Sequence, residues 1–467
     1  MLEYTSSREA DKRIFEADLL VDRAHLVMLR EQGLIPSEIC SKIIEALDQL
    51  KESDLGPGED VHEAIEAYVI SKVGPEGGRM HTARSRNDEV ATCIRLALRA
   101  EMLAMMEELL SLIRTLDELA ERNIDTIIPG FTHTQHAQPT TLAHHLLAHA
   151  DAFRRDLGRT EDAYARVNLS PLGAAAFAST GFSINRQRTC ELLGFDGLVE
   201  NSMDAVSTRD FVLEVLSDLS ILMVNLSRLA EEMILWSTSE FGYLELDNLF
   251  ASTSSIMPQK KNPDTAELAR AKAGSVMGSL ISALAICKAL PMSYNRDLQE
   301  VTPHLWRGMD WTRSTVRILA ACVSTLKFNE KRLEESSGAG FSTATELADS
   351  LVRKTGMPFR TAHQIVGRIA ASGRRPTLKD LDAVAQDVAG FLPSERGFST
   401  QDLEKALDPR SNVSLRANTG GPAPSETGRM IAERHHLLSE TEARVMERRS
   451  KINHALEGLG LQRGRKQ

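Results

Sequence analysis

Residues 209–236 read RDFVLEVLSDLSILMVNLSRLAEEMILW. Val212, Val215, Leu219, Leu222, Leu226, Leu229, Met233 and Trp236 recur in alternating steps of three and four. That spacing stacks side chains along one face of an α-helix. Both flanks of the stripe are also rich in apolar residues, which suits a helix covered on more than one side inside a bundle. Upstream, Leu96, Leu103, Met106, Leu110, Ile113 and Leu116 repeat the pattern, and downstream a further helix is expected from about 264 to 290. Long helices with few strand patterns predict an all-α fold around a central bundle. The 467 residues suffice for two or three domains. Turn signals at GLIPSE and DLGPGED break residues 1–84 into short amphipathic helices. The long helices fill 85–333, and GMPFRTA, GRRPTLKDL and TGGPAPSE divide 334–467 into shorter ones. Three mostly helical domains with those boundaries are therefore expected.

Composition narrows the function. The formal net charge is -10, from 65 acidic against 55 basic residues, which disfavours a general nucleic-acid binder. The five cysteines, Cys40, Cys93, Cys190, Cys287 and Cys322, lie far apart and form no C-x-x-C pair. A disulfide framework or zinc knuckle is not expected, and a cytoplasmic setting is. The opening MLEYTSSREADKRIFEADLL lacks the apolar core of a secretion signal. The uncharged run AGSVMGSLISALAIC, 273–287, is too short for a bilayer span and reads as a core helix. No membrane partner is expected.

Three polar segments lie between the apolar helices: HTARSRND (81–88), GFTHTQHAQPTT (130–141) and STSSIMPQKKNPD (252–264). They are longer and richer in His, Ser, Lys and Pro than a connection requires. Each sits at a helix end, where free N–H groups and the helix dipole can receive an anion. The third holds hydroxyls, a proline-fixed turn and two lysines. A serine beside positive charge there is a candidate for easy proton loss, and a solvated Ser/Lys loop is the equally weighted alternative.

The pattern S-S-x-M-P-x-K-x-N in the third segment resembles the shared loop of the aspartase/fumarase superfamily. In the form SSIMPQKKNPD it resembles the argininosuccinate lyase branch. HTARSRND and GFTHTQHAQP match the other two blocks of that superfamily in order. The likeness continues through NSMDAVSTRDF (201–211), SYNRDLQE (293–300) and LDPRSNVSLR to the GG that ends at 421. The resemblance implies elimination of fumarate from argininosuccinate, leaving arginine, by general acid–base catalysis. It also implies a homotetramer whose central bundles form a common core, with each site composed from three subunits.

Carried over residue by residue, the resemblance implies that Ser254 is the base that takes the carbon-bound proton. Lys260 and Asn262 would bind the fumaryl carboxylate, with Lys260 stabilising the serine alkoxide. His133 would be the acid that protonates the departing nitrogen, and Glu267 would orient and charge His133. The division of acid and base between Ser254 and His133 stays open at this level. Ser7, Asn87, Thr132, Tyr294 and Gln299 match substrate ligands, and His62 matches another site histidine. Ser85, Arg86 and Arg209 are further candidate carboxylate contacts, since arginine offers a two-pronged donor.

One departure stands out. Where the family often has Lys three residues beyond the Gln of YNxDLQ, this chain has Thr302. Arg296 and His304 are nearby cationic side chains able to compensate. A smaller departure is Ala83, where many members have Gly.

Other readings carry less. His145 and His149 have the i,i+4 spacing of a metal pair, but no Glu lies between them and no third ligand is evident in the sequence. The cluster reads as core or interface histidines, and no metal is expected. No phosphate-binding glycine motif appears, so no nucleotide cofactor is expected. Within the resemblance the alternatives are a sister fumarate-releasing lyase, such as adenylosuccinate lyase, and an inactive structural relative of the delta-crystallin kind. QKKN and YNRDLQ argue against the first, and the presence of Ser254, His133, Lys260 and Glu267 argues against the second.

Overall fold

The computed structural model describes residues 2–459. Near its start, helix α1 (Phe15–Glu31) and helix α2 (Val61–Val73) flank a further helix, Ser37–Gln49. Ser85 then starts the long helix α3 (Arg86–Glu121). The Ser85 hydroxyl accepts the Asn87 N–H at 3.3 Å, and the Asp88 carboxylate accepts the Ser85 N–H at 3.0 Å. This capping box satisfies amide groups that a helix start leaves without partners. Leu96, Leu103, Met106, Leu110, Ile113 and Leu116 are all buried along the helix.

The segment after α3 forms a hairpin. β1 (Ile127–Thr132) pairs antiparallel with β2 (Gln135–Thr141), and Thr132 faces Gln135 across the turn. His133 and Thr134 hold the turn at φ 53° and 57°. Both central residues are thus left-handed, as a two-residue turn matched to strand twist requires. A side chain at Gly130 would bring its Cβ to 2.4 Å from the Gln138 carbonyl oxygen, so the irregular register there needs glycine.

The hairpin feeds α4 (Leu142–Val167), followed by α5 (Asp210–Trp236), α6 (Asp264–Cys287) and α7 (Val301–Ser324). Every residue of the expected α5 stripe is buried. The helices pack α3 on α4, α4 on α5, α5 on α6, α6 on α7 and α7 back on α3, which closes a five-helix bundle. At Gly308 the approach of α7 to α5 is close: a Cβ would meet Leu216 Cδ2 at 2.7 Å.

A second, smaller core gathers Leu347, Leu351, Ile365, Leu381, Phe398 and Leu403 from short helices. The chain then returns in α8 (Pro424–Glu457), a long helix where only short ones were expected. It lies along α3 and buries Ile431, Leu438, Val445 and Ile452 in the large core. Arg434 bonds Asp151 at 2.6 Å and Arg449 bonds Glu107 at 2.8 Å, tying α8 to the bundle. Among the described residues no helix is long and apolar enough to cross a membrane.

Candidate active site

The first polar segment and the N-termini of α2 and α3 meet residues from α5 and the approach to α7 in one cleft. Ser7, His62, Arg86 and Asn87 line it from one side, and Arg209, Tyr294 and Gln299 from the other. The Asn87 amide donates to the Ala176 carbonyl at 2.9 Å, Gln299 donates to the Thr5 carbonyl at 3.1 Å, and Ser7 donates to Asp11 at 2.5 Å. Thr302 lines the same cleft, as does Arg296, which pairs with Glu59. His304 is not among the lining residues. Ser85 caps α3 and does not line the cleft.

Behind this wall lies a solvent-free charge network. His62 Nδ1 stands 2.7 Å from Asp18, and Arg84 reaches Asp22 at 2.6 Å and Glu89 at 2.8 Å. Cys93 donates its thiol to Asp18 at 3.3 Å. Burial alone would push the His62 ring down, but Asp18 and Glu89 outweigh it and hold the ring at about 10. Burial lifts the Asp22 carboxyl to about 6 although Arg84 opposes the rise. Asp18, His62 and Cys93 converge closely enough to suggest metal ligands, as do Asp18, Asp22 and Glu89. The Arg84 guanidinium and the His62 ring supply the positive charge these acids face. The His62 Nε2 is buried without a partner among the described residues, on a residue that lines the cleft.

Arg209 is buried, and its guanidinium meets backbone carbonyls and no carboxylate among the described residues. It donates to the Thr208 carbonyl at 2.8 Å, its Nε lacks a partner among the described residues, and burial lowers its pKa. A desolvated guanidinium at a cleft wall is suited to an incoming carboxylate.

The other two segments stand apart from the cleft. Residues 252–262 form a short antiparallel ladder, Ser252–Thr253 against Lys261–Asn262, with an exposed tip. At that tip Ser254 Oγ accepts the backbone N–H groups of Ile256 at 3.4 Å and Met257 at 3.1 Å. Those donors face the oxygen that would carry negative charge after proton loss. Lys260 donates to Asn262 Oδ1 at 2.5 Å. Glu267 is exposed in the first turn of α6. Thr132 and His133 are exposed at the hairpin tip. None of Ser254, Lys260, Asn262, Glu267, Thr132 and His133 lines the cleft.

Sequence reasoning missed the acids of the cleft: Asp11, Glu59 and Asp60. Asp60 doubles as the cap of α2, accepting the Glu63 N–H at 2.7 Å. The turn DLGPGED followed by a helix start was the available signal, but a capping acid there reads as structural.

Comparison with known proteins agrees along the chain. The lyase family profile matches residues 1–278, and the argininosuccinate lyase C-terminal profile matches residues 341–414. The chain is 65% identical over 462 residues to the argininosuccinate lyase of Methanothrix thermoacetophila, covering 98% of this chain and 95% of that one. It is 50% identical over 463 residues to that of Methanocaldococcus jannaschii, again covering 98% and 95%. Among solved structures it resembles EDDS lyase in complex with formate, at a TM-score of 0.91 and 35% identity, covering 96% of this chain and 91% of that one. With the long-helix bundle, the cleft and all three polar segments in place, this near full-length likeness means that the chain belongs to the argininosuccinate lyase family of the aspartase/fumarase superfamily.

Proposed function

We propose that the cleft binds argininosuccinate and that the chain eliminates fumarate from it, releasing arginine, in sites completed by assembly of a homotetramer. The substrate carries carboxylates at both ends and cationic groups at the arginine end. Arg86, Arg209 and Arg296 supply positive charge along the cleft, while Asp11, Glu59 and Asp60 supply negative charge. Arg296 stands where it can offset the lysine absent at Thr302.

Ser254 takes the proton from the carbon beside the fumaryl carboxylate. It does so as an alkoxide, whose charge Lys260 and the Ile256 and Met257 amides stabilise, and the electron pair left by the proton passes onto the fumaryl carboxylate. The carbon–nitrogen bond breaks, His133 gives a proton to the departing guanidinium nitrogen, and Glu267 orients the ring. Asn262 and Thr132 hold the fumaryl carboxylates.

The observation that carries the composite site is separation. The cleft of one chain contains neither Ser254 nor His133, and both belong to projecting turns. Apolar side chains exposed on the bundle support assembly, among them Ile221, Val224, Leu268, Ile281, Leu284 and Ile318.

The test follows fumarate release by ultraviolet absorbance with argininosuccinate and adenylosuccinate in parallel, and sedimentation of the same sample. Turnover of argininosuccinate alone by a tetramer, lost in Ser254→Ala, is expected. A fully active monomer would overturn the composite site, and turnover of adenylosuccinate instead would overturn the substrate.

A further inference from the structure

The α4 histidines at i and i+4 acquire a third partner in the fold. Their rings lie on one face of the helix, edge to face with centroids 5.3 Å apart. Glu232, on α5 and 83 residues beyond His149, points its carboxylate between them. His145 Nε2 lies 2.6 Å from Glu232 Oε2, and His149 Nε2 lies 2.8 Å from the same oxygen. Trp236, one turn further along α5, lies against the His145 ring at 4.9 Å and limits its rotation. None of the three side chains lines the cleft or belongs to the fumarate-releasing machinery.

We propose that His145, His149 and Glu232 form a binding site for a divalent first-row transition cation of the Zn²⁺ class. One ligand atom from each side chain falls within 4.8 Å of the others, a span that a single ion can bridge. Two imidazole nitrogens and one carboxylate oxygen are a donor set that zinc uses, whereas Mg²⁺ and Ca²⁺ prefer oxygen alone. Both rings direct the same type of nitrogen inward, so an ion would take the place of the two Nε2 protons. His149 has 11% of its side chain exposed and Glu232 37%, which leaves a solvent side from which the ion enters and water completes its coordination.

The place in the fold gives the site a bracing role. β2 runs directly into α4, so the histidines sit about one to two turns below the His133 hairpin. Trp236 contacts Tyr243 edge to face at 6.0 Å, and Tyr243 lies 6.4 Å from Phe131 in β1. An ion joining α4 to α5 would hold the base of the hairpin without touching substrate.

The experiment treats the purified protein with a chelator, removes the chelator, and titrates Co²⁺ as a spectroscopic probe. One Co²⁺ per chain, seen as saturable visible absorption and displaced by Zn²⁺, is expected. Zn²⁺ should raise Tm by several degrees, and Mg²⁺ should not. His149→Gln and Glu232→Gln, each checked by circular dichroism and gel filtration, should lose the absorption and the Zn²⁺-dependent rise in Tm while still releasing fumarate. Absence of a saturable Co²⁺ spectrum in the parent protein would overturn the proposal, and so would binding unchanged in both variants. The parent titration decides even if one variant does not fold.

Discussion

The Asp18 carboxylate meets His62 Nδ1 at 2.7 Å inside a wall of the cleft from which solvent is excluded. The pair keeps a positive charge on a ring whose Nε2 has no partner among the described residues. A substrate carboxylate arriving in the cleft would find that N–H already charged and fixed in place.

Asp18→Asn should therefore damage stability and binding together. Removing one member of a buried pair leaves the other uncompensated, at a cost of about 3–5 kcal/mol. Urea unfolding should show that loss, and KM should rise with a smaller change in kcat. An unchanged KM in folded protein would mean that His62 does not meet the substrate.

The same pair gives a pH signature. His62 stands at about 10 in the fold against an ordinary 6.5, so the folded state holds its proton more tightly than the unfolded one. The stabilisation is complete below about 6.5 and is lost as pH rises through about 10. The urea midpoint should fall across that window, and His62→Gln should flatten the fall. An equal slope in both proteins would assign it to other groups.

Arg209 should show the opposite balance between stability and function. Its buried guanidinium meets backbone carbonyls and no carboxylate among the described residues. Arg209→Met should leave Tm unchanged or raise it, because a desolvated, unpaired charge is removed. Loss of a charged hydrogen bond to substrate is worth about 1.5–3 kcal/mol, so kcat/KM should fall roughly 10- to 100-fold. A large fall in Tm would show that the guanidinium is structural.

Arg296 and Thr302 can be tested as a compensating pair. Arg296→Met should raise KM, since it removes a cation from the cleft wall that also holds Thr302. Adding Thr302→Lys to that variant should recover part of the loss. If the double variant binds no better than Arg296→Met, the two positions do not share a role.

How much was legible follows from where the signal lies. The α5 stripe could be read because two apolar residues recur in every seven, and all of them are buried. In α8 the residues Ile431, Leu438, Val445 and Ile452 repeat only once in seven. The helix is held also by Arg434 and Arg449, whose acidic partners lie on other helices. No local pattern announces such pairs. The motifs pointed to Ser7, His62, Asn87, Arg209, Tyr294 and Gln299, which the fold brings to one cleft. Asp11, Glu59 and Asp60 looked like ordinary turn and capping acids. Glu232 was invisible as a partner of His145 and His149 because only the packing of α4 on α5 brings them together.

The hairpin was illegible for a different reason, and that reason yields a last prediction. A two-residue turn with both residues left-handed favours Asn-Gly, yet this one is His133-Thr134 at φ 53° and 57°. Left-handed backbone costs a non-glycine residue about 1–2 kcal/mol, and such strain is kept where a side chain must project for chemistry. His133→Asn replaces the ring with a residue that tolerates this conformation, so Tm should hold or rise slightly. Its kcat should fall roughly 10²- to 10⁴-fold through loss of the proposed proton donor. If kcat survives, the departing nitrogen takes its proton from another group. If Tm drops sharply, the ring holds the hairpin rather than serving the reaction.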